Sequence, residues 1–210
     1  MTQLAIAQLA PIDSIFLNWE TVTPPPKGAF DDYAEQANVL YATSEIGVFQ
    51  STDFGINWEL HPALPAVHAE YIYADAELIL VSFLLEDDDN YEIYQSTDEG
   101  ATFNLVMTEW APNGSAGQGG YGPYISDFKR INDQSIYLQI GGEYNFNFIN
   151  QIDVFHSSNN GSSWSNISDT LGLTSTLNFA TSGDTIAYLG YDKIGYALNP
   201  DLSDLTTIDQ

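Results

Sequence analysis

Val48-Phe49-Gln50-Ser51-Thr52-Asp53-Phe54-Gly55-Ile56-Asn57-Trp58 decides the fold, because the chain repeats it. It returns as Ile93-Tyr94-Gln95-Ser96-Thr97-Asp98-Glu99-Gly100-Ala101-Thr102-Phe103, and again as Val154-Phe155-His156-Ser157-Ser158-Asn159-Asn160-Gly161-Ser162-Ser163-Trp164. Each copy begins with alternating apolar and polar residues, the period of a half-buried strand. Each then turns through Ser-x-Asp/Asn-x-Gly. Gly55, Gly100 and Gly161 supply a positive φ without steric penalty, and Asp53, Asp98 or Asn159 accepts hydrogen bonds from the backbone of the turn. Trp58, Phe103 or Trp164 opens the returning strand and covers the base of the hairpin with a large apolar face. Turn chemistry accounts for every position, so Ser51, Ser96, Ser157 and their partners read as structural residues.

This pattern resembles the Asp-box, or BNR repeat, of sialidases, sortilin-type receptors, some xyloglucan hydrolases and photosystem II assembly factors. Two copies match in Ser, Asp and Gly; the third carries Asn159, which keeps the acceptor and loses the charge. The resemblance implies a β-propeller in which each box joins the third and fourth strands of a blade, away from the ligand face. It implies little about activity, since one fold hosts many functions.

The rest of the chain divides around the boxes. From Ser51 to Ser96 the step is 45 residues, the length of a four-stranded blade, and a Gly-rich insert at 111–122 lengthens the step to Ser157 to 61. Blades are expected at about 28–62, 67–108, 122–168 and 174–210, with 13–23 an extra strand of a preceding or closing blade. In the last blade, Asn199-Pro200-Asp201-Leu202-Ser203 reads as a decayed box, 42 residues after Ser157. The expected architecture is a single all-β domain: a propeller of four to five four-stranded antiparallel blades, or an arc of a larger one. Three prolines at 24–26 must leave the sheet, because they cannot donate ladder hydrogen bonds.

Composition narrows the function. Four basic residues against 29 acidic ones give a net charge of −25. Nucleic acid is a poor partner for such a surface, because phosphate neutralisation needs clustered Lys and Arg. No apolar run is long enough to span a bilayer, so membrane insertion is not expected. Residues 1–12 lack a basic leader and do not read as an intact signal peptide. Zero cysteines exclude disulfides and thiolate metal sites. The resemblance and the acidity point to an extracellular or cell-surface setting of bacterial type.

Ligand contacts are expected on the face opposite the boxes, built by residues 24–33, 61–70, 86–90, 112–124 and 141–151, since long loops on a rigid scaffold carry binding. Tyr121, Tyr124, Tyr144, Asn145, Phe146 and Asn147 are the candidates there. Aromatic faces beside amides suit the C–H faces and hydroxyl rims of sugar rings. Asp87 and Asp89, in the densest acidic run, carry oxygen ligands of the kind calcium takes. That run lacks an EF-hand's glycine and distant glutamate and reads first as a solvated turn, so no cofactor is assigned and calcium is the one ion it would suit. His61, His68 and His156 show no ligand spacing, and no metal centre is assigned.

Arg130 is the sole arginine. A sialidase holds its substrate carboxylate with three, so sialidase activity is rejected. Two readings stand side by side. The first is a non-catalytic module presenting its loop face to a glycan or protein partner, with no catalytic residue. The other is a glycoside hydrolase, or a fragment of one, that acts on a neutral polysaccharide with loop carboxylates as acid and base.

Overall fold

The computed structural model describes residues 30–85, 90–110, 124–144, 149–171, 178–189 and 193–209. They form sixteen strands and one short helix, α1 (Ser168–Leu171). The strands make four sheets, each a four-stranded antiparallel meander in chain order. The first holds β1 (Tyr33–Gln36), β2 (Val39–Ser44), β3 (Gly47–Ser51) and β4 (Glu59–Leu60). The second holds β5 (Ala69–Ala74), β6 (Ile79–Leu85), β7 (Asn90–Ser96) and β8 (Asn104–Trp110). The third holds β9 (Tyr124–Arg130), β10 (Ile136–Tyr144), β11 (Ile149–Ser157) and β12 (Ser165–Asn166), followed by α1. The fourth holds β13 (Asn178–Ser182), β14 (Thr185–Leu189), β15 (Lys193–Ala197) and β16 (Thr206–Asp209). The fold is all-β, a propeller of four-stranded antiparallel blades. Residues 13–23, read as an extra strand, lie outside the described residues.

Burial explains how the blades stack. In the two middle blades the second strand is buried on both faces: Ile79, Leu80, Val81, Ser82 and Phe83 are inaccessible, as are Ile136, Tyr137, Leu138 and Ile140. A strand covered on both sides reads as a near-continuous apolar run. Tyr41, Val48, Ile72, Ile79, Val81 and Phe83 fill the first seam. Leu80, Ile93, Phe128, Leu138 and Phe155 fill the second. Tyr137, Val154, Ile186, Tyr188 and Ala197, with Leu171 of α1, fill the third. Among the described residues no such cluster joins the fourth blade to the first. In β14 burial alternates instead: Ile186 and Tyr188 are buried, whereas Leu189 is 47 % exposed.

The three Ser-x-Asp/Asn-x-Gly turns join β3 to β4, β7 to β8 and β11 to β12. Their geometry is nearly identical. The buried Ser51, Ser96 and Ser157 each accept the glycine N–H at Oγ, at 2.8, 2.9 and 2.8 Å. The same hydroxyls donate to Asp53, Asp98 and Asn159, at 2.9, 2.8 and 3.0 Å. The acidic or amide oxygen also accepts the N–H four residues on, at 2.9 Å in all three. The glycines lie at φ of 83°, 82° and 80°. The residue before each glycine is left-handed too: Phe54 at 60°, Glu99 at 57° and Asn160 at 55°.

The segment 199–203, read as a decayed box, joins β15 to β16 but closes differently. It has no glycine, and Leu202 alone is left-handed, at φ 59°. The Leu198 and Asn199 N–H groups donate to the Asp204 carboxylate at 3.1 and 3.2 Å. Asp201 inside the turn accepts the Ser203 N–H, at 3.0 Å, and the carboxylate that holds the end of β15 comes from after the turn.

Candidate functional site

Chain direction gives the blades two ends. The β1–β2 hairpin and the first box share one end, with the β2–β3 turn and the start of β1 at the other. Hydrogen bonds across the first seam keep the ends in step. The Tyr41 hydroxyl donates to Glu99 O of the second box at 3.2 Å, and Gln36 donates to Asp75 O at the same end. At the far end Thr43 Oγ1 donates to Glu70 O at 3.3 Å. β1 and β5 also pack directly on one another, as β5 and β9 do, so the first strands of successive blades are neighbours.

The sequence-derived ligand residues divide between described and undescribed positions. Tyr124 opens β9 opposite Gly141, and Tyr144 closes β10 opposite Ile149, so both lie at the end away from the boxes. Tyr121, Asn145, Phe146, Asn147, Asp87 and Asp89 lie outside the described residues. Among the described residues no three His, Asp or Glu side chains gather as a metal set.

At that same end stand side chains from the expected loop segments 24–33 and 61–70, of which the sequence named only His68, and as an ordinary histidine. Asp31 and Asp32 precede β1, and His68 and Glu70 flank the start of β5. His68 Nε2 is 3.6 Å from Asp31 Oδ2. Glu70 Oε2 accepts the Tyr91 hydroxyl at 2.6 Å. Burial, and then the charge of Glu70, pushes that phenol far above its ordinary value, so it stays a donor. Asp32 is tied to the scaffold: its N–H donates to Thr43 Oγ1 at 2.9 Å, and its Oδ2 accepts Ile72 N–H at 3.1 Å. Acids just before β1 and at the start of β5 were the available signal, lost among 29 acidic residues.

Arg130 lies at the box end. Its Nη1 donates to Asp75 Oδ2 at 2.6 Å and its Nη2 to Glu77, an ion-paired tie between the second and third blades. Tyr73 donates to the same Asp75 carboxylate at 2.9 Å.

A concavity of about 360 Å³ opens at the box end of the third seam, lined by Ser135, His156, Ser158, Pro200 and Asp201 among others. Ser135 Oγ lies 2.7 Å from His156 Nε2, and the imidazole stacks on Tyr137 with ring centres 4.5 Å apart. Burial lowers the affinity of His156 for a proton, with the Asp201 charge opposing, so the ring is neutral at pH 7. Ser135 is itself buried and leans on the third seam. Read in the sequence as an ordinary histidine, His156 is a partner of that seam.

These features define a β-propeller with Asp31, Asp32, His68 and Glu70 gathered at the end of its first seam opposite the boxes. No protein-family model matches the chain, nor does any curated protein sequence. Among solved structures it is similar to an ancestral GH74 enzyme, with a TM-score of 0.54 and 22 % identity over 85 % of this chain. The chain spans 24 % of the length of that enzyme. It is also similar to the Penicillium chrysogenum α-L-arabinanase complexed with arabinobiose, at a TM-score of 0.42 and 14 % identity over 85 % of this chain and 65 % of that one. A structure of a nidogen/laminin complex gives 0.48 and 11 % identity over 90 % of this chain and 66 % of that one. At these identities the likeness to the GH74 enzyme shows the fold alone.

Proposed function

We propose that the chain belongs to a glycan-directed propeller, acting outside the cell on a neutral polysaccharide at the end opposite the boxes. The observation that carries this reading is the structural likeness to a GH74 enzyme over 85 % of the chain. Engagement of Arg130 by Asp75 and Glu77 argues for a neutral glycan, since no second arginine is present to clasp a substrate carboxylate. Asp31 and Glu70, at the end opposite the boxes, are the described carboxylates assigned to the acid and base roles that retaining and inverting glycosidases divide between two such groups.

One observation favours the non-catalytic alternative. Asp32 is bound into the backbone of β5 and Glu70 holds the Tyr91 hydroxyl, so both act in the scaffold. One experiment separates the two. Neutral hemicelluloses and arabinans are incubated with the protein, and both reducing ends and bound polysaccharide are measured. Release of reducing ends, lost in Asp31→Asn or Glu70→Gln while binding persists, supports a hydrolase. Binding without release supports a lectin-like module. Neither binding nor release overturns the glycan reading.

A further inference from the structure

Each blade has a face that receives the next one, and the same cross-strand pair marks it. The pair is Tyr41 with Gln50 in the first blade, Leu80 with Gln95 in the second and Tyr137 with His156 in the third. A side chain of each pair donates to the carbonyl of the following turn. Tyr41 reaches Glu99 O, Gln95 reaches Asn160 O, and Tyr137 reaches Pro200 O. The box glycines make the approach possible: a Cβ at Gly100 would meet the Tyr41 hydroxyl, and one at Gly161 the Gln95 amide at 2.9 Å.

The fourth blade has the corresponding pair, Ala187 with Tyr196. Nothing described covers it, and Tyr196 is 42 % exposed. Around it Leu189, Ile194 and Ile208 stand in one cross-strand row, all exposed. At the other end of the arc, no blade among the described residues stands in front of the first turn. Phe54 occupies the position of Glu99 and Asn160, left-handed like both, and is 80 % exposed.

We propose that a second copy of this chain covers the fourth blade, seating its first turn there so that Tyr196 donates to the partner's Phe54 carbonyl. Both halves of the joint are on this chain, and three seams within it show how such halves fit. The contact is head-to-tail, and a head-to-tail contact closes into a ring when its rotation allows. Two four-blade arcs make an eight-bladed ring, at the upper end of the roughly four to eight blades that propellers use. The proposal is independent of the glycan reading. Each copy carries a charge of −25, so repulsion opposes the joint and salt favours it.

Sedimentation velocity on the full chain tests it, across protein concentration and from low salt to about 0.5 M NaCl, where repulsion is screened. The expected result is the mass of two chains, favoured by salt. Tyr196→Arg and Phe54→Asp, at opposite ends of the arc, should each weaken association roughly tenfold or more, as loss of an aromatic anchor does. Both side chains are already exposed, so unfolding of the monomer should not change. Mixing the two variants should restore the pair, because the intact turn of one meets the intact face of the other and Arg meets Asp in the second joint. A monomer under all conditions, a dimer indifferent to both changes, or an open series of larger masses overturns the proposal.

Discussion

The first three turns and the fourth do the same job with different parts. In the boxes a buried serine hydroxyl gathers the turn, and two consecutive left-handed residues lead the chain back. In the fourth, Asp204 reaches backwards from beyond the bend, and a single left-handed leucine suffices. The difference follows from what each turn must fit. Glu99-Gly100 and Asn160-Gly161 press against the blade before them without room for a Cβ. Pro200 offers only its carbonyl to Tyr137, and a groove is left between them where His156 replaces the glutamine of the second blade.

The largest test of this contrast is Gly100→Ala. A left-handed alanine costs roughly 1–2 kcal/mol and overpacking against Tyr41 roughly 1–3 more, so a loss of about 2–5 kcal/mol is expected in denaturant unfolding. Gly183, left-handed at φ 56° but facing open space, should show only the backbone part. Next comes Ser96→Ala, which orphans the Gly100 N–H inside the seam and should cost about 1–3 kcal/mol. Ser203→Ala, in the exposed fourth turn, should stay within about 0.5 kcal/mol.

A third test uses pH. Burial depresses proton affinity at His156 and at His61. The unfolded chain therefore takes up protons first, and stability falls as pH drops below the ordinary histidine value of 6.5. His156→Gln installs what the second blade carries at that place, and should flatten part of this fall, leaving the share due to His61. An unchanged slope would show that the third seam is indifferent to the imidazole. The smallest effect separates the boxes from one another. Asn57 N–H and side-chain amide hold Asp53 below its ordinary value, and the Thr102 hydroxyl and N–H do so for Asp98, whereas Asn159 cannot titrate. The stability that these carboxylates contribute is present above the ordinary carboxylate value of 3.8 and is lost as pH falls through their lower folded values. Asp53→Asn with Asp98→Asn should remove that acid-dependent part, seen as a flatter thermal-midpoint profile below about pH 4.

Much of the fold was legible because strand alternation and turn chemistry are local. Ser51 to Trp58 announces a strand, a bend and a returning strand without reference to anything distant. The left-handed Phe54, Glu99 and Asn160 were not legible, since nothing in a phenylalanine or a glutamate advertises that conformation; the neighbouring glycine imposes it. Asp204 was missed because matching the fourth turn to the box pattern placed the acceptor inside it. The candidate site was harder still. Asp31 meets His68 only when β1 packs on β5, and Arg130 finds Asp75 and Glu77 across 55 and 53 residues.

The carbonyl latch between blades has a direction. Tyr41 waits for Glu99, Gln95 for Asn160 and Tyr137 for Pro200, so the part that fastens each blade is always translated after it. A growing polypeptide leaving the ribosome thus carries one unfastened sheet at its newest end until the next 42 to 61 residues emerge. Proteolysis of stalled nascent chains should find that sheet, and not the earlier ones, open to cleavage.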